Sequence, residues 1–209
     1  GDIMFVDIVK VGQLRCNCYL LEKDHKVLII DPGSDFDKIV TKVGARDVVG
    51  IIITHHHFDH DGASKEISKK YKCDIYDIFN LPEGKNQIAN FTFNVIYTPG
   101  HKEDLITIYF PQEKVMFCGD FIFKDTIGRC DLEGGNINDM LHSLNKIKKA
   151  KDKLYSFNEK EEVLDFLTNY KLSDDLIDEK QVNSLLFISL FYVILTYALR
   201  LSPYLKECI

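Results

Sequence analysis

The six cysteines, at positions 16, 18, 73, 118, 130 and 208, contain no CxxC pair and follow no regular framework. A disulfide-stapled scaffold is shorter and denser in cysteine. Reduced thiols and a cytoplasmic setting are therefore the simplest expectation. Cys16 and Cys18 alternate along a strand-like segment and are read as packing residues. There is also no dense lysine or arginine cluster, and the formal net charge is -6. Nucleic-acid binding is driven by phosphate neutralisation, so no such partner is expected. No basic region followed by an apolar run opens the sequence, so no secretory signal is expected either. Internal repeats and low-complexity segments are lacking. Glycine is absent after Gly135 and histidine after His142. What is present is ordinary for a soluble globular protein: 209 residues, 45% apolar and 28% charged, enough for one sizeable core.

Residues up to about 150 alternate short strands and helices with sharp turns. Met4 to Val9, Asn17 to Glu22 and Lys26 to Asp31 predict a strand meander closed by Asp31-Pro32-Gly33. A helix follows from Asp35 to Gly44, with an N-cap candidate and a terminal glycine. Val48 to Ile53 is a β-branched run suited to a buried strand. A helix is expected over Gly62 to Tyr71, strands over Phe91 to Tyr97, Leu105 to Phe110 and Lys114 to Cys118, and a helix over Ile137 to Lys149. The character then changes. Residues 160–180 read as a charged amphipathic helix, and residues 181–199 carry no charge. That apolar segment is borderline for a span, which needs about 20 residues. Membrane contact through it is an alternative to burial, not the favoured reading.

The buried strand empties into Thr54-His55-His56-His57-Phe58-Asp59-His60. On an extended chain, residues two apart face the same side, so His55 and His57 can converge. Asp59 and His60 follow as a turn begins and bring a carboxylate and a third imidazole nearby. Imidazole and carboxylate suit zinc, iron and manganese. A surface histidine run would not be internal, follow a buried strand and carry an aspartate at a fixed offset.

Ile51 to Gly62 resembles the THxHxDHxG signature of the metallo-β-lactamase-fold superfamily. Asn17-Cys18-Tyr19-Leu20 with Ile30-Asp31-Pro32-Gly33 is similar to that family's opening strands. Thr98-Pro99-Gly100-His101 resembles the loop that presents its next metal histidine, and Cys118-Gly119-Asp120 the strand end that carries its bridging aspartate. Gly128 to Gly135 is similar to a segment of the hydroxyacylglutathione-hydrolase-like branch. The resemblance implies an α/β protein with a four-layer αββα sandwich over residues 1–157, and a diverged helical region over 158–209. It implies His55, His57 and His101 around a first metal, Asp59 and His60 at a second, and Asp120 bridging both. The cofactor expected is zinc, one or two ions, with iron as the alternative. Asp59 and Asp120 are the expected catalytic carboxylates. The implied activity is hydrolysis of a small ester-like substrate, a hydroxyacyl thioester being favoured, by a metal-activated hydroxide. His56 and Phe58 occupy variable positions of the motif and are expected to be wall residues.

The family pattern ends in a Gly-His-Gly turn whose histidine completes the second site, and this chain has neither residue there. Asn158 or Glu159 falls at about the right place. The second site is then short of a ligand, completed by a carboxylate, or empty. Three readings follow: a first-site hydrolase, a mononuclear-iron enzyme like the family's persulfide dioxygenases using His55, His101 and Asp120, or a catalytically impaired binding or structural protein. Among the other polar residues, His142 reads as a surface or packing histidine, His25 as a turn residue, and Arg129 with Asp131 as a structural pair.

Overall fold

A computed structural model describes residues 3–123 and 126–149. The expectations for residues 158–209, for Asn158 and Glu159, and for a helix over 181–199 lie outside the described residues. The elements run β1 (Phe5–Val11), β2 (Cys16–Lys23), β3 (Lys26–Ile30), α1 (Phe36–Val43), β4 (Asp47–Ile52), α2 (Phe58–Asp61), α3 (Ser64–Tyr71) and β5 (Ile75–Tyr76). They continue as β6 (Gly84–Ile88), β7 (Phe91–Tyr97), β8 (Ile106–Phe110), β9 (Val115–Phe117), β10 (Ile122–Phe123), β11 (Thr126–Ile127) and α4 (Ile137–Lys149). This is the four-layer αββα sandwich of an α/β protein, the fold expected.

One sheet has the order β1-β2-β3-β4-β5 and the other β6-β7-β8-β9, with β10 and β11 forming a separate hairpin. In β3 the alternation of side chains sorts the two cores. Val27 and Ile29 join Val48, Ile51, Ile39, Val43 and Ile67 on the side of α1 and α3. Leu28 and Ile30 join Phe91, Phe93, Val95, Ile106, Ile108 and Phe110 between the sheets. A strand with apolar residues on both faces is buried on both faces, and β3 and β4 read accordingly. Their parallel pairing carries a register shift between Val27 and Leu28. Gly50 sits just beyond it and faces the inter-sheet core, where a Cβ would come within 3.0 Å of the Tyr76 ring.

Helix starts and stops differ from expectation for local reasons. Asp35 precedes α1 in the left-handed region (φ 56°) and makes no side-chain cap bond. Its carboxylate instead accepts the backbone N–H of Gly12, 3.0 Å away. The helix expected over Gly62 to Tyr71 is α3, which starts two residues later at Ser64, and a separate short helix, α2, precedes it across Gly62 and Ala63. Gly62 is pressed against the Gly33 carbonyl, and Ala63 N–H donates to Pro32 O at 2.9 Å. The Asp31-Pro32-Gly33 turn thus occupies the space a straight helix would need. At α4, the Asn136 side chain accepts the N–H groups of Asn138 and Asp139 at 2.8 and 3.2 Å, an effective N-cap. Met140, Leu144 and Ile147 form its buried side. Among the described residues, no helix is long and apolar enough to cross a membrane.

Candidate metal centre

Five segments meet at one edge of the sheets: the start of β2, the turn after β3, the loop from β4 into α2, the loop after β7, and the turn after β9. The loop after β4 carries Thr54 to His57, and α2 carries Asp59 and His60. His101 follows the sharp turn at Gly100 (φ 151°), whose Cβ position lies 2.5 Å from the backbone of Met140. Only glycine lets α4 come this close to the loop. Asp120 follows Gly119 (φ 52°), where a Cβ would stand 2.4 Å from Thr54 Oγ1. Two strand ends are held together at these glycines.

His57 Nδ1 is 3.0 Å from His55 Nε2 and 3.0 Å from His101 Nε2. Hydrogen bonds on the far side of each ring decide which of these atoms bears a proton. Thr54 Oγ1 donates to Asp31 Oδ2 at 2.7 Å, so toward His55 Nδ1, 3.1 Å away, it can only accept. His55 therefore carries its proton on Nδ1 and presents a bare Nε2. His101 Nδ1 lies 2.7 Å from the Arg129 carbonyl oxygen, which is only an acceptor, so His101 Nε2 is bare as well. Two lone pairs converge on His57 Nδ1, whose single possible proton could satisfy one of them. A cation satisfies all three. Nitrogens bound at about 2.05 Å in a tetrahedron stand about 3.3 Å apart, close to the spacings seen. The donor set fits a divalent transition metal.

The second group is anionic. His60 Nε2 is 3.2 Å from Asp120 Oδ1 and 3.7 Å from Asp59 Oδ2. Its other nitrogen, Nδ1, is 2.9 Å from Asp31 Oδ2. Asp120 Oδ2 lies 3.6 Å from His101 Nε2, so this carboxylate faces both groups. Three clusters have ligand atoms within 4.8 Å of one another: His55, His57 and His101; Cys16, Asp59 and His60; and His55, His60 and Asp120.

The electrostatics separate the two groups. Burial first, then the neighbouring imidazoles of His60 and His101, push His55 far below the usual histidine range. Burial and His101 lower His57 too. Both rings are thus held in the neutral, ligand-competent form. His60 moves the other way: burial opposes its charge, but Asp31 and the hydrogen bond to Asp120 outweigh it and raise the pKa. For Asp120, burial is outweighed by the hydrogen bond to His60, and the carboxyl is held below its usual range. The anions that favour a proton on His60 would equally favour a bound cation in its place.

The structure brings His55, His57, Asp59, His60, His101 and Asp120 together. His56 points elsewhere: its ring joins Asp61 at 2.9 Å and Asp77 at 3.2 Å and stacks on Phe79. Phe58 is exposed. His142 is exposed on α4, and the His25 side chain is 94% exposed in the β2–β3 turn. Arg129 and Asp131 form a two-pronged pair at 2.8 and 2.6 Å, while the Arg129 backbone carbonyl orients His101.

Supporting residues escaped the sequence reading. Asp31, 1% exposed, accepts Thr54 N–H at 2.7 Å as well as the bonds from Thr54 Oγ1 and His60. The buried Asp104 accepts His56 N–H at 3.1 Å, and Lys102 donates to the His56 carbonyl. The signal for Asp31 was a carboxylate at the end of an apolar strand. Cys18 is packed in the core as expected. Cys16 is not packing alone, since its thiol lies 2.8 Å from Asp59 Oδ2.

The chain matches the family model of the metallo-beta-lactamase superfamily over residues 11–78 and 76–158. It is 30% identical over 175 residues to a protein of Aquifex aeolicus, covering 69% of this chain and 83% of that one. It is 35% identical over 151 residues to the hydroxyacylglutathione hydrolase of Francisella tularensis subsp. novicida, covering 66% of this chain and 60% of the relative. Among solved structures it is similar to the BLEG-1 B3 metallo-beta-lactamase, with a TM-score of 0.67, 28% identity and coverage of 69% of this chain and 86% of that one.

Proposed function

Because the chain belongs to the metallo-beta-lactamase superfamily, we propose that it is a metal-dependent hydrolase of a small ester-like substrate, a hydroxyacyl thioester first among them. The observation that carries this reading is the convergence of His55 Nε2, His57 Nδ1 and His101 Nε2, with two of the three lone pairs fixed by Thr54 and the Arg129 carbonyl. The thioester preference is supported by likeness to the Francisella hydroxyacylglutathione hydrolase and by the Gly128 to Gly135 segment.

In this reading His55, His57 and His101 hold one ion, Asp59 and His60 a second, and Asp120 lies between them. Zinc bound there would act as a Lewis acid and lower the pKa of a coordinated water to about 7. The chain's own residues supply position and proton traffic. The Arg129 carbonyl and Thr54 keep His101 and His55 in the required tautomers, a support that typically changes metal affinity about 10–100-fold. Asp120, ionised and turned toward both groups, would orient the attacking water. Asp59 provides a second carboxylate on the same side. Gly128 packs against the Asp120 carbonyl and His101, so the segment that ends in Gly135 begins against the site.

The same imidazole and carboxylate donors suit iron: of the expected triad His55, His101 and Asp120, His101 Nε2 is 3.6 Å from Asp120 Oδ2, and His55, His60 and Asp120 form a second grouping with ligand atoms within 4.8 Å. Metal identity therefore separates hydrolysis from an iron-dependent oxidation. The test is thioester cleavage followed by release of free thiol. We expect cleavage to stop on chelation and return with added zinc. Oxygen consumption with a persulfide substrate, restored by iron alone and without thioester cleavage, would favour the second reading.

A further inference from the structure

We propose that Cys16 is a metal ligand, supplying a thiolate to the ion held by Asp59 and His60. This rests on the metal reading above and extends it to a residue type that reading does not contain. Cys16 opens β2, paired with Val11 of β1. Two residues on, Cys18 points to the same side of the strand and is fully buried in the core under α1 and α3. The Cys16 side chain, only partly buried, packs against the edge of that core and also reaches Asp59 and His60.

The distances suit coordination. Cys16 Sγ is 2.8 Å from Asp59 Oδ2 and 3.9 Å from His60 Nε2. For zinc with a sulfur at about 2.3 Å and an oxygen or nitrogen at about 2.05 Å, tetrahedral ligands stand about 3.6 Å apart. The two separations bracket that value. Asp120 Oδ1 approaches the same His60 Nε2 at 3.2 Å, so a further carboxylate adjoins the group of one sulfur, one nitrogen and one carboxylate oxygen. Cys16, Asp59 and His60 each have a ligand atom within 4.8 Å of the others, so the thiol belongs to a built cluster. The far side of His60 is held by Asp31 at 2.9 Å, which leaves its Nε2 facing the thiol and the two carboxylates.

Coordination replaces the S–H bond of Cys16 by an S–metal bond. The thiol proton passes to Asp59 or directly to solvent, and no electron transfer is involved. A thiolate is a soft ligand and favours zinc or cadmium over magnesium and manganese. It gives this position a selectivity that the carboxylates lack.

The experiment is a cadmium titration of the full chain after metal removal, reading bound equivalents together with thiolate-to-metal charge-transfer absorption in the ultraviolet. The wild type is expected to bind two equivalents, with the absorption growing during one of them. Cys16→Ser should lose the absorption and weaken that equivalent at least about 100-fold, beyond the range for merely supporting residues, while keeping the other. Cys73→Ser should leave both unchanged. Two equivalents bound without the absorption, or absorption that persists in Cys16→Ser, would overturn the role of Cys16 and leave the metal reading intact. A wild type that binds no cadmium would overturn the metal reading itself. Should Cys16→Ser fail to fold, iodoacetamide labelling of the wild type decides the matter. Cadmium should protect Cys16 from alkylation, and equal labelling with and without metal would overturn the proposal.

Discussion

Replacing Asp31 by asparagine is a nearly isosteric change with a large expected consequence. Asp31 is buried, with Oδ1 accepting Thr54 N–H at 2.7 Å. Its Oδ2 accepts both Thr54 Oγ1–H at 2.7 Å and His60 Nδ1–H at 2.9 Å. Asparagine has one oxygen for these three donors. If that oxygen takes the Oδ1 place, the amide nitrogen faces Thr54 Oγ1 and His60 Nδ1. The threonine hydroxyl can rotate, but His60 must shift its proton to Nε2 to accept. That shift points an N–H at Asp59 and Asp120, where a ligand lone pair is required. If the oxygen takes the Oδ2 place, two buried N–H donors oppose each other, at about 1–3 kcal/mol. Thr54 also contacts His55, so the disturbance reaches the first group. We expect zinc affinity to fall about 10–100-fold, about 1.4–2.7 kcal/mol. Calorimetric titration of the metal-free protein against a competing chelator measures it. Wild-type affinity for every equivalent in Asp31→Asn would refute the tautomer argument.

Other substitutions probe the remaining parts of the site. His57→Ala or His101→Ala should abolish thioester hydrolysis and lower metal content, whereas His142→Ala on the exposed face of α4 should do neither; elemental analysis and a thiol-release assay check both. Gly33→Ala would place a Cβ 1.6 Å from the Asp59 carbonyl. This forces α2 outward at about 1–3 kcal/mol, seen as a lowered midpoint of thermal unfolding. Arg129→Ala removes an exposed ion pair worth under about 1 kcal/mol. It should leave metal content unchanged, because the backbone carbonyl of residue 129 is what holds His101.

Much of the site was legible because its chemistry is written in contiguous runs. The His55 to His60 stretch follows an apolar β4, and the strand's extended exit is what lets residues two apart converge. The buried strands β2, β3, β4, β7 and β8 announced themselves by β-branched and aromatic runs. By contrast, β6 (Gly-Lys-Asn-Gln-Ile) is a polar edge strand whose pairing with β7, not its composition, makes it a strand. The break between α2 and α3 depends on Gly33, distant in sequence and pressed against the Asp59 backbone. The supporting roles of Asp31, Asp104 and the Arg129 carbonyl come from contacts between segments 23 to 48 residues apart, which no local pattern encodes. Cys16 was hidden for a related reason. Alternation along β2 pairs it with the buried Cys18 on the same core, while its contact with Asp59 and His60 comes from a segment more than 40 residues away.

In the proposed function, hydrolysis depends on a metal held by the three-imidazole group. The most direct measurement is elemental analysis of the protein purified without added metal, beside its His55→Ala, His57→Ala, His101→Ala triple variant. We expect at least one zinc per wild-type chain, lost from the triple variant together with thioester cleavage. A triple variant that keeps the wild-type metal content, or a metal-free wild type that cleaves at full rate, would contradict it.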